Sequence, residues 1–115
     1  MTRKPGPKRL LFVCTANQHR SRTGEDLYRG NPSYEVRSAG TDVYYAEPNE
    51  CPLTDELLEW ADIVFVMEPY HREAIEERFL VRPESVVVLD IEDRYSRGES
   101  ELVQLLQERL STYLD

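Results

Sequence analysis

Cys14 and Arg20 lie in the stretch Leu11-Phe12-Val13-Cys14-Thr15-Ala16-Asn17-Gln18-His19-Arg20-Ser21, with residue types and a spacing suited to chemistry on an oxyanion. A cysteine supplies a thiolate nucleophile. An arginine grips two phosphate oxygens with a planar fork, which a lysine point charge cannot do. Ser21 can donate its hydroxyl hydrogen to the sulfur. The apolar run Leu10 to Val13 ends here and a polar helix follows. Loop N–H groups turned inward and a helix start would stabilise a phosphate dianion or a thiolate at this place. The chemistry implied is phosphoryl transfer through cysteine, with Thr15, Ala16, Asn17, Gln18, His19, Arg20 and Ser21 as the phosphate-binding loop. The spacing alone is a weak signal, because a cysteine at a strand end is often a small buried hydrophobe. The surrounding strand, Asn17 in the loop and Ser21 after the arginine supply separate requirements that chance does not readily meet together.

The elements that must position this loop are short apolar runs at Leu10 to Val13, Tyr34 to Ser38, Ile63 to Val66 and Val86 to Leu89, separated by helix-like stretches. That rhythm predicts an α/β fold with a four-stranded parallel sheet in three layers. Helices are expected from Ser21 to Gly30, from Thr54 to Ala61 with Thr54 as cap, and from Pro69 to Leu80 with Pro69 opening it. A capping box of Ser96 and Glu99 would start a fourth helix running to the C-terminus, with Leu102, Val103, Leu106, Leu110, Tyr113 and Leu114 on its apolar face. Right-handed crossovers leave few topologies, of which order 2-1-3-4 puts the Cys14 strand in the middle. The segments after each strand then converge on one mouth: Cys14, Gly40-Thr41, Met67-Glu68 and Asp90 to Tyr95.

A chain of 115 residues allows one domain with a modest core. We expect a flexible basic tail over residues 1–9, broken by Pro5-Gly6-Pro7, and a single domain over residues 10–115. A net charge of −8 argues against general binding to nucleic acid or anionic membrane, because phosphate backbones demand a broad basic surface. No stretch is apolar enough to span a bilayer. Two cysteines without a targeting segment suit free thiols in a reducing cytoplasm. No His, Cys and carboxylate cluster has metal-ligand spacing, so neither metal nor other cofactor is expected.

The Cys14-to-Ser21 segment resembles the low-molecular-weight protein tyrosine phosphatases, whose signature is a cysteine, five residues, then arginine and serine near the N-terminus. Glu25 falls where the family's first helix usually has an acid. Val36-Arg37-Ser38-Ala39-Gly40-Thr41 is similar to the family's second strand and turn, Ala61-Asp62-Ile63-Val64-Phe65-Val66-Met67 to its third strand, and Asp90-Ile91-Glu92-Asp93 to its acid loop. The resemblance implies a flavodoxin-like, phosphotyrosine phosphatase I-like fold and hydrolysis of phosphotyrosine protein or a small aryl phosphate through a phosphocysteine. It implies Cys14 as nucleophile, Arg20 as phosphate holder and Asp93 as general acid and later base. Asp90 competes for that role, although its place at the strand end favours a turn. Ser38 would support Asn17 in bracing the loop, and Tyr44 and Tyr95, with Thr15, would wall a pocket for a phenyl ring.

Departures from the family pattern are equally legible. The chain is short, with one short helix between Thr41 and Asp62. Ala16 replaces a usual glycine, Arg94 replaces the proline after the acid, and His19 stands where many members have a second cysteine. Arg94 could pair with Asp93 or help hold substrate. His19 reads as a rim residue and His71, on the third helix, as structural. Alternatives of neighbouring chemistry are an arsenate reductase using Cys51 in a disulfide relay, a phosphoserine phosphatase of the RNA-polymerase-tail type, and a non-catalytic phosphate- or phosphotyrosine-binding module. A monomer or weak dimer is expected.

Overall fold

The computed structural model describes residues 6–43 and 50–114. It is a three-layer α/β fold built from β1 (Lys8–Cys14), α1 (Arg20–Tyr28), β2 (Tyr34–Gly40), α2 (Asp55–Trp60), β3 (Ile63–Val66), α3 (Pro69–Arg78), β4 (Val86–Val88) and α4 (Ser100–Leu110). All pairings are parallel and the strand order is β2-β1-β3-β4, as the connectivity predicts.

Strand β1 is buried on both faces, and its two-residue side-chain period sorts the core into halves. Leu10, Phe12 and Cys14 join Phe65, Met67, Ile91 and the Leu102, Leu106 and Leu110 stripe of α4. Leu11 and Val13 join Ala39, Val64, Val66, Leu58 of α2 and Ile75 of α3. The apolar face of α4 thus covers the sheet, as its helical spacing requires. Cys14 lies opposite Gly40 in the β1–β2 ladder, so the ends of two strands are level where the loop begins.

Two glycines permit close approach at this end. A Cβ on Gly24 of α1 would come 2.6 Å from the Phe12 ring, and one on Gly40 would come 2.5 Å from Thr15 O and 2.8 Å from Asn17 N. Side chains there would push the helix off the sheet and the loop off β2.

Several boundaries differ from those expected. Lys8 and Arg9 belong to β1 rather than to a flexible tail, because they pair with Tyr34 and Glu35 and the Arg9 N–H donates to Asp62 Oδ2 at 2.8 Å. Helix α4 starts at Ser100, not Ser96. Gly98 has φ +78°, a left-handed conformation that cannot continue a right-handed helix, so the contact between Ser96 N–H and Glu99 Oε1 closes only a preceding turn. The same helix ends at Leu110, with Tyr113 and Leu114 in the following turn. Helix α1 stops at Tyr28, ahead of Gly30 at φ +89°. Thr54 caps α2 as its sequence predicts, its side chain accepting from the Leu57 N–H at 3.2 Å. No helix among the described residues is long and apolar enough to cross a membrane.

Candidate active site

The loop from Cys14 to Arg20 leaves β1 and enters α1 with its carbonyl groups tied outward. Thr41 N–H donates to Cys14 O at 2.9 Å, Asp42 N–H to Thr15 O at 2.8 Å, and Arg22 Nε to Asn17 O at 3.1 Å. The backbone N–H groups of residues 15–20 donate to no acceptor among the described residues. Successive amides without internal partners at a helix start form an anion cradle, because each must find an acceptor and the helix dipole favours negative charge. Cys14, Thr15, Ala16, Gln18, His19, Arg20 and Asp93 line the resulting cleft, a cavity of about 50 Å³. That is room for a small oxyanion and little more.

Asn17 holds the loop in this shape. Its φ of +56° lies in the left-handed region, where asparagine is tolerated better than most residues. It is fully buried. Its amide donates to Ser21 Oγ at 2.8 Å and to Ser38 Oγ at 3.0 Å, and its carbonyl oxygen accepts from the Cys51 N–H at 2.8 Å. Ser38 passes its own hydrogen to Glu25 Oε1 at 2.6 Å. Ser21 Oγ receives a hydrogen from Asn17 and lies 3.0 Å from Cys14 Sγ. The Ser21 hydroxyl is therefore in place to donate to the sulfur whenever Cys14 is a thiolate, which can only accept.

Arg20 is only 2% exposed. Its Nη1 donates to Glu68 Oε2 at 2.9 Å and to Ile91 O at 2.6 Å, and its Nε lies 3.8 Å from Asp93 Oδ1. Burial works against its charge, but hydrogen bonds to Glu68 and Tyr70 and the negative charge of Cys14 and Asp93 outweigh it and raise the guanidinium further. Asp93 has a largely exposed side chain and reaches the cleft. Asp90 is exposed, does not line the cleft, and turns the chain after β4 with φ +62°.

Two loop residues reach outward. Gln18 Nε2 donates to Glu50 Oε1 at 2.8 Å, and His19 Nδ1 accepts from the Arg97 N–H at 3.2 Å. The ring of His19 thus sits at the rim, tied to the segment before α4.

The segment after β3 contributes more than its sequence foretold. Glu68 was expected at the mouth without a role, and it anchors Arg20. His71 is on α3 as expected, but it is also fully buried against the loop: Nδ1 accepts from the Glu68 N–H at 3.0 Å and Nε2 bonds Thr15 Oγ1 at 2.9 Å. Desolvation first, then the Arg20 charge, lowers its pKa to about 4, against partial opposition from Glu68, Asp42 and Asp93. The legible signal was the spacing Glu68-x-x-His71 at a helix start, which has the form of a capping box with histidine in the third helical position.

The aromatic wall differs from expectation. Tyr95 packs against the α4 side of the core and lines a separate surface with Glu101, Gln104, Leu105 and Glu108. Arg94 lies over its ring at 5.1 Å, which turns both side chains to each other rather than Arg94 to Asp93. Tyr44 lies outside the described residues. Tyr70, unremarked in the sequence, hydrogen-bonds to Thr15 Oγ1. Cys51 is a free thiol whose Sγ contacts Pro52 O at 3.6 Å while its backbone binds Asn17, and Cys14 is likewise free. No group of three or more metal-ligating side chains occurs among the described residues.

No protein-family model matches the chain. It is 29% identical to a protein-arginine-phosphatase of Geobacillus stearothermophilus, covering 95% of this chain and 93% of that one. Among solved structures it resembles Vibrio vulnificus Wzb in complex with benzylphosphonate, with TM-score 0.74 and 25% identity over 94% of this chain and 97% of that one. The tyrosine phosphatase Wzb from Escherichia coli K30, in complex with phosphate, shares the fold with TM-score 0.75 at 24% identity, covering 92% and 95% of the two chains.

Proposed function

We propose that the chain is a cysteine-dependent phosphatase of the low-molecular-weight protein tyrosine phosphatase family, which hydrolyses phosphotyrosine side chains or small aryl phosphates at the Cys14 cleft. In the first step the Cys14 thiolate attacks phosphorus, the bond to the aryl oxygen breaks, and Asp93 gives its proton to the departing oxygen. In the second, water attacks the phosphocysteine, Asp93 takes the water proton, and inorganic phosphate leaves with the thiolate regenerated. Arg20 and the N–H groups of the loop hold the three equatorial oxygens through both steps. Charge in this transition state is spread over those oxygens, so donors already in place supply most of the stabilisation.

One observation carries the reading: the carbonyls of Cys14, Thr15 and Asn17 are bonded to neighbouring segments, while the N–H groups of residues 15–20 have no acceptor among the described residues, in a loop whose Cys14 sulfur contacts Ser21. Asp93, at 3.8 Å from Arg20 Nε and lining the cleft, supports the general-acid assignment over Asp90. Free thiols at both cysteines support work in a reducing compartment such as the cytoplasm.

Steady-state hydrolysis of p-nitrophenyl phosphate under reducing, metal-free conditions tests the proposal. Activity in the intact protein that disappears in Cys14→Ser is the expected outcome; equal activity in both, or none in either, overturns it.

A second reading is protein phosphoarginine as substrate. The Geobacillus relative is named for that activity, and Asp93 gives the cleft a carboxylate that suits a guanidinium. Comparing kcat/KM on a phosphotyrosine and a phosphoarginine peptide of the same sequence separates the two.

A further inference from the structure

The cleft of about 50 Å³ accepts a phosphoryl group, so the organic part of a substrate must lie at its mouth. Tyr70 stands there. It is the second residue of α3, follows Pro69, and keeps 44% of its surface exposed. Its hydroxyl is hydrogen-bonded to Thr15 Oγ1, a residue that lines the cleft.

The ring is also backed. It packs on His71 with centroids 4.1 Å apart and planes at 43°. His71 Nδ1 accepts from the Glu68 N–H, so the neutral ring carries its proton on Nε2 and donates it to Thr15 Oγ1. Proline at the preceding position fixes φ at the helix entry. Tyr70 is therefore held at its tip by the loop, along one face by a buried histidine, and at its backbone by a helix start. What remains accessible is the other part of a preorganised aromatic surface beside the phosphate site.

We propose that Tyr70 is a specificity-determining residue, whose exposed ring flanks the leaving group of a bound phosphate and selects ring-bearing phosphates over those without a ring. The inference rests on the phosphatase reading above and assigns to Tyr70 the wall that Tyr95 does not form. Aromatic pairs prefer offset or edge-to-face contact and gain beyond simple area burial. Tyr70 can offer that contact without first ordering itself, because its position is already fixed.

Calorimetric binding of benzylphosphonate and of inorganic phosphate to the intact protein, Tyr70→Phe and Tyr70→Ala tests the assignment without depending on turnover. Tyr70→Ala is expected to weaken benzylphosphonate about tenfold and to leave phosphate within about twofold, while Tyr70→Phe keeps the wild-type preference. An alanine variant that binds both ligands as the wild type does, or loses both in parallel, overturns the proposal. Turnover of p-nitrophenyl phosphate judges the phosphatase reading separately: an inert wild type whose benzylphosphonate preference still depends on the Tyr70 ring sinks that reading and retains the ring contact.

Discussion

Arg20 and Glu68 are 48 positions apart in the chain and joined by a 2.9 Å contact between Nη1 and Oε2, where the arginine side chain is 2% exposed. The carboxylate and the Ile91 carbonyl hold one end of the guanidinium from behind, so the rest of the fork is oriented before any phosphate arrives. A buried arginine left without this partner keeps its charge and loses its direction.

Glu68 is therefore expected to act by position. Glu68→Gln retains an oxygen acceptor and should keep kcat/KM for p-nitrophenyl phosphate within about threefold, whereas Glu68→Ala should lower it about tenfold or more. Steady-state kinetics on both variants make the comparison, and an alanine variant as active as wild type refutes the idea.

Asp93 should govern protonation of the leaving oxygen. Asp93→Asn is expected to slow aryl phosphates with poor leaving groups by about a hundredfold, with a smaller loss as the leaving group improves. Asp90→Asn should have little effect, since Asp90 turns the chain in a left-handed conformation that asparagine also tolerates. A leaving-group series on both variants decides it, and equal losses would move the role away from Asp93.

His71 sets a pH dependence of stability. Its pKa is lowered to about 4 in the folded protein, chiefly by desolvation, against about 6.5 when unfolded. The unfolded chain binds the proton more readily, so the stabilisation is complete above pH 6.5 and is lost as pH falls toward 4, by up to about 3 kcal/mol. Urea denaturation of wild type and His71→Gln across this range should show the wild-type slope flattened in the variant. Parallel curves would exclude His71 as its source.

Asn17 was expected to hold the loop and Ser38, by the resemblance, to support it; the two side chains meet at 3.0 Å. Helix limits slipped where Gly98 and Gly30 adopt positive φ, a local choice that apolar spacing does not encode. Tyr95 was misread because a tyrosine in the acid loop can face either the cleft or α4, and only packing decides which.

By itself, the sequence determined the order of strands and helices and the loop that carries Cys14 and Arg20 from β1 into α1. Those properties depend on periodicity and on neighbours within a few residues. Tertiary structure alone decided that Glu68 holds Arg20, that His71 reaches Thr15, and that Tyr70 rather than Tyr95 meets Thr15. Each of these contacts joins segments 48 to 56 positions apart, and their geometry follows from how the carboxyl ends of β1 and β3 meet in the sheet.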